Sequence, residues 1–213
     1  MLSRPRSRAH SVPFTPSRSA GMMRKRYVLL LGFLLAAGAP LEAQEGGALR
    51  LFVSGGMQTS PDSYDSFRPV EYDSGLQFGG GIALVLSETF AVRGEMAKGS
   101  NSGFEAGVLN EDVEMDRSYY GVSAELTLPV AMAVSPYALI GAGMVHIDRD
   151  GPSYTFAVTE VTGQVGAGLR VPVGLAATSA FVQGTTWVYA NSSTDEWQVD
   201  PVLSLGLAYT VPF

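Results

Sequence analysis

The chain contains no cysteine. That excludes a lipid anchor through a thiol and any disulfide framework, so stability has to come from packing and backbone pairing, as in a closed sheet. Basic residues are also few where they would matter. Of the 14 Lys and Arg, seven precede residue 44; residues 44–213 keep 7 against 19 of the 20 acids, a net charge of −12. Such a balance excludes general affinity for nucleic acid. No apolar run reaches the ~20 residues that a membrane-spanning helix needs. Helical periodicity is missing after residue 44, and of the 2 histidines only His146 lies there.

What is present begins with two leader-like segments. Residues 1–21 are rich in Arg, Ser and Pro without a hydrophobic period, and read as disordered or as translated sequence ahead of the true start. Residues 22–43 read as a signal peptide: Arg24-Lys25-Arg26 supply the positive start, Tyr27 to Ala39 the apolar run, and Leu41-Glu42-Ala43 the small residue at the cut. Export is therefore expected, with residues 44–213 as one domain.

That domain alternates. Segments at Ala48–Gln58, Gly75–Leu86, Phe90–Lys98, Ser118–Leu128, Pro136–His146, Glu160–Val171, Ser179–Tyr189 and Pro201–Phe213 place large apolar residues on every second position. In the fourth, Tyr120, Val122, Ala124, Leu126 and Leu128 oppose Tyr119, Gly121, Ser123, Glu125 and Thr127. The second face holds glycine, small polar residues and isolated charges. It is too small and too sparsely charged to be a solvated exterior, so the apolar face belongs outside, against lipid. Short connections (around 87–89, 129–135 and 172–178) alternate with longer polar ones (roughly 59–74, 99–117, 147–159 and 190–200), as in barrels whose short turns face the periplasm. The expected fold is all-β: an eight-stranded antiparallel, up-and-down transmembrane β-barrel with both termini periplasmic.

The final strand carries Leu203, Leu205, Leu207, Tyr209, Val211 and Phe213 in strict alternation. An exposed apolar edge of this kind is a hazard in a soluble sheet. It resembles the closing strand of bacterial outer-membrane barrels. Pro136-Tyr137-Ala138-Leu139-Ile140-Gly141-Ala142-Gly143 and Val165-Gly166-Ala167-Gly168-Leu169-Arg170 likewise resemble strands of the small eight-stranded OmpA- and OmpX-like barrels. The resemblance implies a barrel alone in the bacterial outer membrane, with lipids and the barrel-assembly machinery as partners. It also implies that Tyr209, Val211 and Phe213 form the assembly signal.

With the outer face assigned, Arg50, Arg93, Glu95, Glu125 and Arg170, joined by Gln77, Gln164 and Gln183, are expected to point inward. An eight-stranded barrel is only wide enough for its own side chains. Long charged groups at one level are expected to pair and plug the lumen, because an isolated buried charge is too costly. The expected role is non-enzymatic: envelope integrity or surface interaction. Two alternatives stand beside it. One is a narrow channel for small solutes. The other is a lipid-modifying enzyme at the rim, with His146 as base, Asp148 or Asp150 orienting it and Ser153 as nucleophile.

Several features are expected to be less specific. Acids assigned to the long connections, including Glu105, Asp200 and the run Glu111-Asp112-Val113-Glu114-Met115-Asp116, suit divalent cations or surface ligands but lack the spacing of a dedicated calcium loop. Phe90, Tyr119, Tyr120, Trp187, Tyr189, Tyr209 and Phe213 fit interfacial aromatic girdles. Gly141-Ala142-Gly143 and Gly166-Ala167-Gly168 have no helix after them, so they are not phosphate loops, and no cofactor is expected. No oligomeric state is implied.

Overall fold

The computed structural model describes residues 47–60, 70–105, 111–130, 133–174, 177–190 and 197–213. The tail at 1–21 and the signal segment at 22–43 lie outside the described residues. Among the described residues nine strands form: β1 (Ala48–Gln58), β2 (Val70–Tyr72), β3 (Gly75–Val85), β4 (Phe90–Glu105), β5 (Glu111–Thr127), β6 (Ser135–Gly151), β7 (Tyr154–Pro172), β8 (Thr178–Ala190) and β9 (Trp197–Pro212). Each pairs antiparallel with its neighbour in sequence, β2 aside. The pairs β1–β9 and β4–β5 complete the ring, so eight strands close into an up-and-down barrel. Closure leaves no open edge at membrane depth, where an unpaired backbone group has no water to turn to.

The tight turns lie at one end. Ser87 caps its own turn: its Oγ accepts from the backbone N–H of Phe90 at 3.1 Å. Both chain ends described here lie at that same end, with Phe213 N–H donating to the Gly47 carbonyl at 3.0 Å.

At the opposite end the strands are longer than the alternation implied. The expected loops 99–117 and 147–159 are largely strand: β4 runs on to Glu105, β5 starts at Glu111, and β6 and β7 are joined by Pro152-Ser153 alone. The cause is a change of phase. On β5 the apolar residues below Tyr120 are even-numbered and exposed, whereas above it Val113 and Met115 are odd-numbered and buried. β6 does the same, with Ile140 and Met144 outside but Val145 and Ile147 inside. Both strands stay regular and their register is unbroken from Glu114↔Asp150 to Thr127↔Tyr137. What changes is the character of the outer face: apolar below, charged above.

The short β2 belongs to this upper part. It pairs with Gly103–Glu105 of β4, continuing the line of β3 after Asp73-Ser74. Tyr72 turns inward and joins Val113, Met115, Tyr119, Val145, Ile147, Trp187, Tyr189 and Val202 in one buried cluster. Burial pushes the Tyr72 hydroxyl up to about 12, against the pull of the nearby Arg149.

Candidate functional site

The candidate site is the lumen, which side chains fill at two levels. Alternation decides who enters it. A strand sends every second residue to each face, so once Leu51, Leu84, Val92, Leu126 and Leu169 face outward, Arg50, Ala83, Arg93, Glu125 and Arg170 must face inward.

In the lower layer Glu125, 1% exposed, accepts from Arg50 Nη1 at 2.5 Å and from Arg170 Nη2 at 2.9 Å. Arg93 Nη2 meets Glu95 Oε2 at 2.6 Å, while its Nη1 donates to Gln183 Oε1 at 2.8 Å. Gln164 donates to Glu95, and Tyr137 O–H donates to Gln183 at 3.1 Å. Three guanidinium groups thus face two carboxylates. Aromatic faces take part of the excess positive charge: Arg93 sits 3.9 Å over the Phe52 ring and Arg170 4.7 Å over Tyr137. Glycine makes room for these rings. A Cβ on Gly168 would lie 2.4 Å from Tyr137 Cζ, and one on Gly206 would lie 2.3 Å from Phe181 Cζ.

The upper layer centres on Asp200. Its Oδ2 accepts from Tyr119 O–H and Tyr189 O–H, each at 2.8 Å, and lies 3.5 Å from Arg117 Nε. Arg117 Nη1 also donates to Asn101 Oδ1 at 3.0 Å. Gln58 Nε2 donates to Tyr119 at 3.1 Å and receives a bond from Gln77 Nε2 at 3.2 Å. Tyr119 stacks on Trp187 with ring centroids 4.9 Å apart. Higher still, Arg149 Nη2 bonds to Glu105 Oε2 at 3.1 Å, both residues buried. A cavity of about 20 Å³, lined by Ser54, Gln77, Glu95, Gln183, Thr185 and Ser204 among others, lies between the layers. It has room for about one water molecule.

All eight residues expected in the lumen point there. Seven of them share the lower layer's contacts, whereas Gln77 bonds to Gln58 in the upper layer instead. Other expectations need correcting. Glu105 and Asp200 are buried lumen acids, not loop acids. The run from Glu111 to Asp116 is strand, so its alternate residues face opposite ways and cannot converge as a loop would. Tyr119, Trp187 and Tyr189 enter the lumen, Tyr120, Tyr209 and Phe213 face outward, and Phe90 is half-buried. Adjacent residues such as Tyr119 and Tyr120 cannot share a girdle on one strand face. Ser153 bonds to Glu111 at the hairpin tip, 2.8 Å, away from His146. His146 contacts Thr159 Oγ1 at 2.8 Å through Nδ1 and Asp148 Oδ1 at 3.3 Å through Nε2, all three facing outward.

The upper layer was within reach of the alternation. Gln183 inward on β8 places Trp187 and Tyr189 inward as well, and Leu203 outward on β9 carries Asp200 inward three residues earlier.

The model of the outer membrane protein beta-barrel domain matches residues 29–210 of this sequence. The chain belongs to that family. As an outer-membrane barrel it is similar in fold to Neisserial surface protein A, with 11% identity, a TM-score of 0.55, and coverage of 78% of this chain and 99% of that one. A second similar structure is Ail, the attachment invasion locus protein of Yersinia pestis, in complex with the heparin analogue sucrose octasulfate: 19% identity, TM-score 0.49, covering 79% and 100%. A third is the outer membrane protease OmpT from Escherichia coli, at 7% identity and TM-score 0.40, covering 80% and 98%. At these identities the likeness is one of fold alone, and function has to be argued from the site. No curated protein matches the sequence.

Proposed function

We propose that this barrel is a non-enzymatic component of the outer membrane, delivered by its N-terminal signal segment, that serves envelope structure and surface interaction and does not conduct. The observation that carries this reading is the filled lumen. Two layers of hydrogen-bonded ions and aromatic rings cross it, and the cavity between them measures about 20 Å³. A permeating ion would have to break a dry ion pair at each layer, which is far costlier than crossing a wet pore. Outer-membrane lipids are the partners of the apolar belt. The assembly machinery is the partner of the Tyr209, Val211 and Phe213 ridge, all three outward and exposed. Divalent cations bridging the outward acids to lipid headgroups fit the same picture.

The test is electrical. The refolded protein in a planar bilayer is expected to give no steady current, and stable single-channel openings of the wild type would overturn the plugged-lumen reading.

A second reading, an acyl hydrolase at the membrane surface, has the His146–Thr159–Asp148 contacts in its favour. Against it, β6 is paired on both sides there, with Ser118 of β5 and Thr159 of β7, so its backbone N–H groups are taken up by the ladders. An oxyanion would need such donors free. Ester hydrolysis abolished by His146→Ala would establish this second reading; no hydrolysis above background is expected.

A further inference from the structure

The polar groups around the cavity between the two layers are unequally satisfied. Its main acceptors are engaged. Glu95 Oε2 takes Arg93 Nη2 at 2.6 Å, and Glu95 Oε1 takes Gln164. Gln183 Oε1 receives Arg93 Nη1 at 2.8 Å and the Tyr137 hydroxyl at 3.1 Å. Donors are left over. Arg93, 4% exposed, keeps a buried Nε–H for which no described residue is an acceptor. Thr185 Oγ1 accepts from Gln183 Nε2 at 2.6 Å, which leaves its own proton to give, and Ser54 brings a second hydroxyl to the wall.

We propose that this cavity is a binding site for one monatomic anion of the halide class, held by the Arg93 Nε–H and the hydroxyls of Thr185 and Ser54. Charge points the same way as the donors. Three guanidinium groups of the lower layer face two carboxylates, so the described lumen carries a surplus positive charge at that level. Such a charge held away from water is costly until it is paired. The rings under Arg93 and Arg170 take only part of it. An anion between the layers offsets the rest and gives the orphaned N–H its acceptor. Size sets the class. About 20 Å³ admits a particle close to a water molecule in size, which a bare halide approximates and a phosphate, sulfate or carboxylate-bearing solute exceeds. The neighbouring Glu95 is neutralised by Arg93.

A cation at the same place would meet the surplus charge and the free N–H, and would gain little from Glu95, whose oxygens are both taken. With a charged layer on either side, the anion completes the plug and does not pass through it. The inference deepens the filled-lumen part of the proposed function and rests on it.

The experiment uses the full barrel carrying Trp197→Phe. That change removes the exposed one of the 2 tryptophans and leaves Trp187, buried on the cavity wall, as the reporter. The protein is refolded in zwitterionic micelles with increasing sodium bromide, the ionic strength being held constant with sodium gluconate, whose anion is too large for the cavity. Bromide beside the indole quenches through its heavy atom, so Trp187 emission should fall along a saturating curve. Choline bromide should act as sodium bromide does. The melting midpoint should rise over the same range, because the anion binds the folded barrel alone. Ser54→Ala should move half-saturation to roughly tenfold higher bromide. Ser54→Leu, which fills the cavity, should abolish both responses; circular dichroism checks that each variant folds. Four results would overturn the inference: emission and midpoint indifferent to bromide, as with a water molecule in the site; quenching that never saturates; an unshifted curve in Ser54→Ala; or an equal response in a folded Ser54→Leu. A silent barrel with no halide response fails the site alone; a conducting barrel with the saturable response fails the plug alone.

Discussion

Two stretches of the same pair of strands obey opposite rules. Along β5 and β6 below Tyr120, Val122, Leu126 and Ile140 are exposed while Ser123 and Glu125 are buried. Above it, Val113, Met115, Val145 and Ile147 are buried, and Asp112, Glu114 and Asp150 are exposed. The backbone does not notice the change: the ladder continues in register through it. The difference teaches that the side-chain pattern follows the surrounding solvent, not the strand. Seventeen residues of β5 rise on the order of 40 Å at the usual tilt, well beyond a ~25 Å apolar band, so part of each long strand must stand in water. There the barrel takes on the layout of a soluble protein, apolar within and charged without.

The largest expected effects come from the lumen, where the charged groups of both layers are buried. Glu125→Ala takes the shared carboxylate from Arg50 and Arg170 in the lower layer, and Asp200→Ala takes the carboxylate from beside Arg117 and from the Tyr119 and Tyr189 hydroxyls in the upper one. Each should cost about 3–5 kcal/mol in equilibrium unfolding from lipid or detergent. A loss at one layer only would mean that the other is wet, which would break the equivalence of the two layers.

The next effect separates the outer faces. Leu126→Arg, in the belt, should cost about 2–4 kcal/mol, whereas Glu114→Arg, on the same face of the same strand above the belt, should change stability by less than about 0.5 kcal/mol. Equal costs would erase the distinction between the regions.

A smaller effect comes from crowding within the belt. Gly168→Ala would push a methyl into the Tyr137 ring and should cost about 1–3 kcal/mol, while Gly163→Ala, whose nearest atom is 3.8 Å away, should be tolerated. Thermal melts of the two variants provide the comparison.

The smallest effect lies on the outer wall. The Lys98 ammonium, hydrogen-bonded to Asp116, holds that carboxyl below its usual range. A depressed carboxylate contributes stability above its unfolded pKa and loses it as pH falls through the folded value, so the contribution should fade only in acid. Lys98→Gln should return Asp116 towards its ordinary pKa, followed by NMR titration. Its effect on stability at neutral pH should be small and should vanish in high salt.

Much of this was legible before the fold. The eight alternating segments, the tight turns and the inward charges on Arg50, Arg93, Glu95, Glu125 and Arg170 all follow from period two and from the width of a small barrel. The strand ends were not legible by the same rule. Val113, Met115, Val145 and Ile147 shift to the other parity from Tyr120, Leu126 and Ile140, and a shift of parity reads as the end of a strand when one outer solvent is assumed throughout.

The account turns on where the outer solvent changes, and that is directly measurable. With no native cysteine, single cysteines at Leu126, Ala124, Val122, Tyr120, Ser118, Asp116 and Glu114 can each carry one nitroxide, and their collision rates with oxygen and with a water-soluble nickel chelate report lipid or water. Oxygen should dominate from Leu126 through Tyr120 and the chelate from Asp116 upward, with the crossover at Ser118. Lipid exposure continuing to Glu114, or water already reaching Val122, would contradict the two-solvent strand.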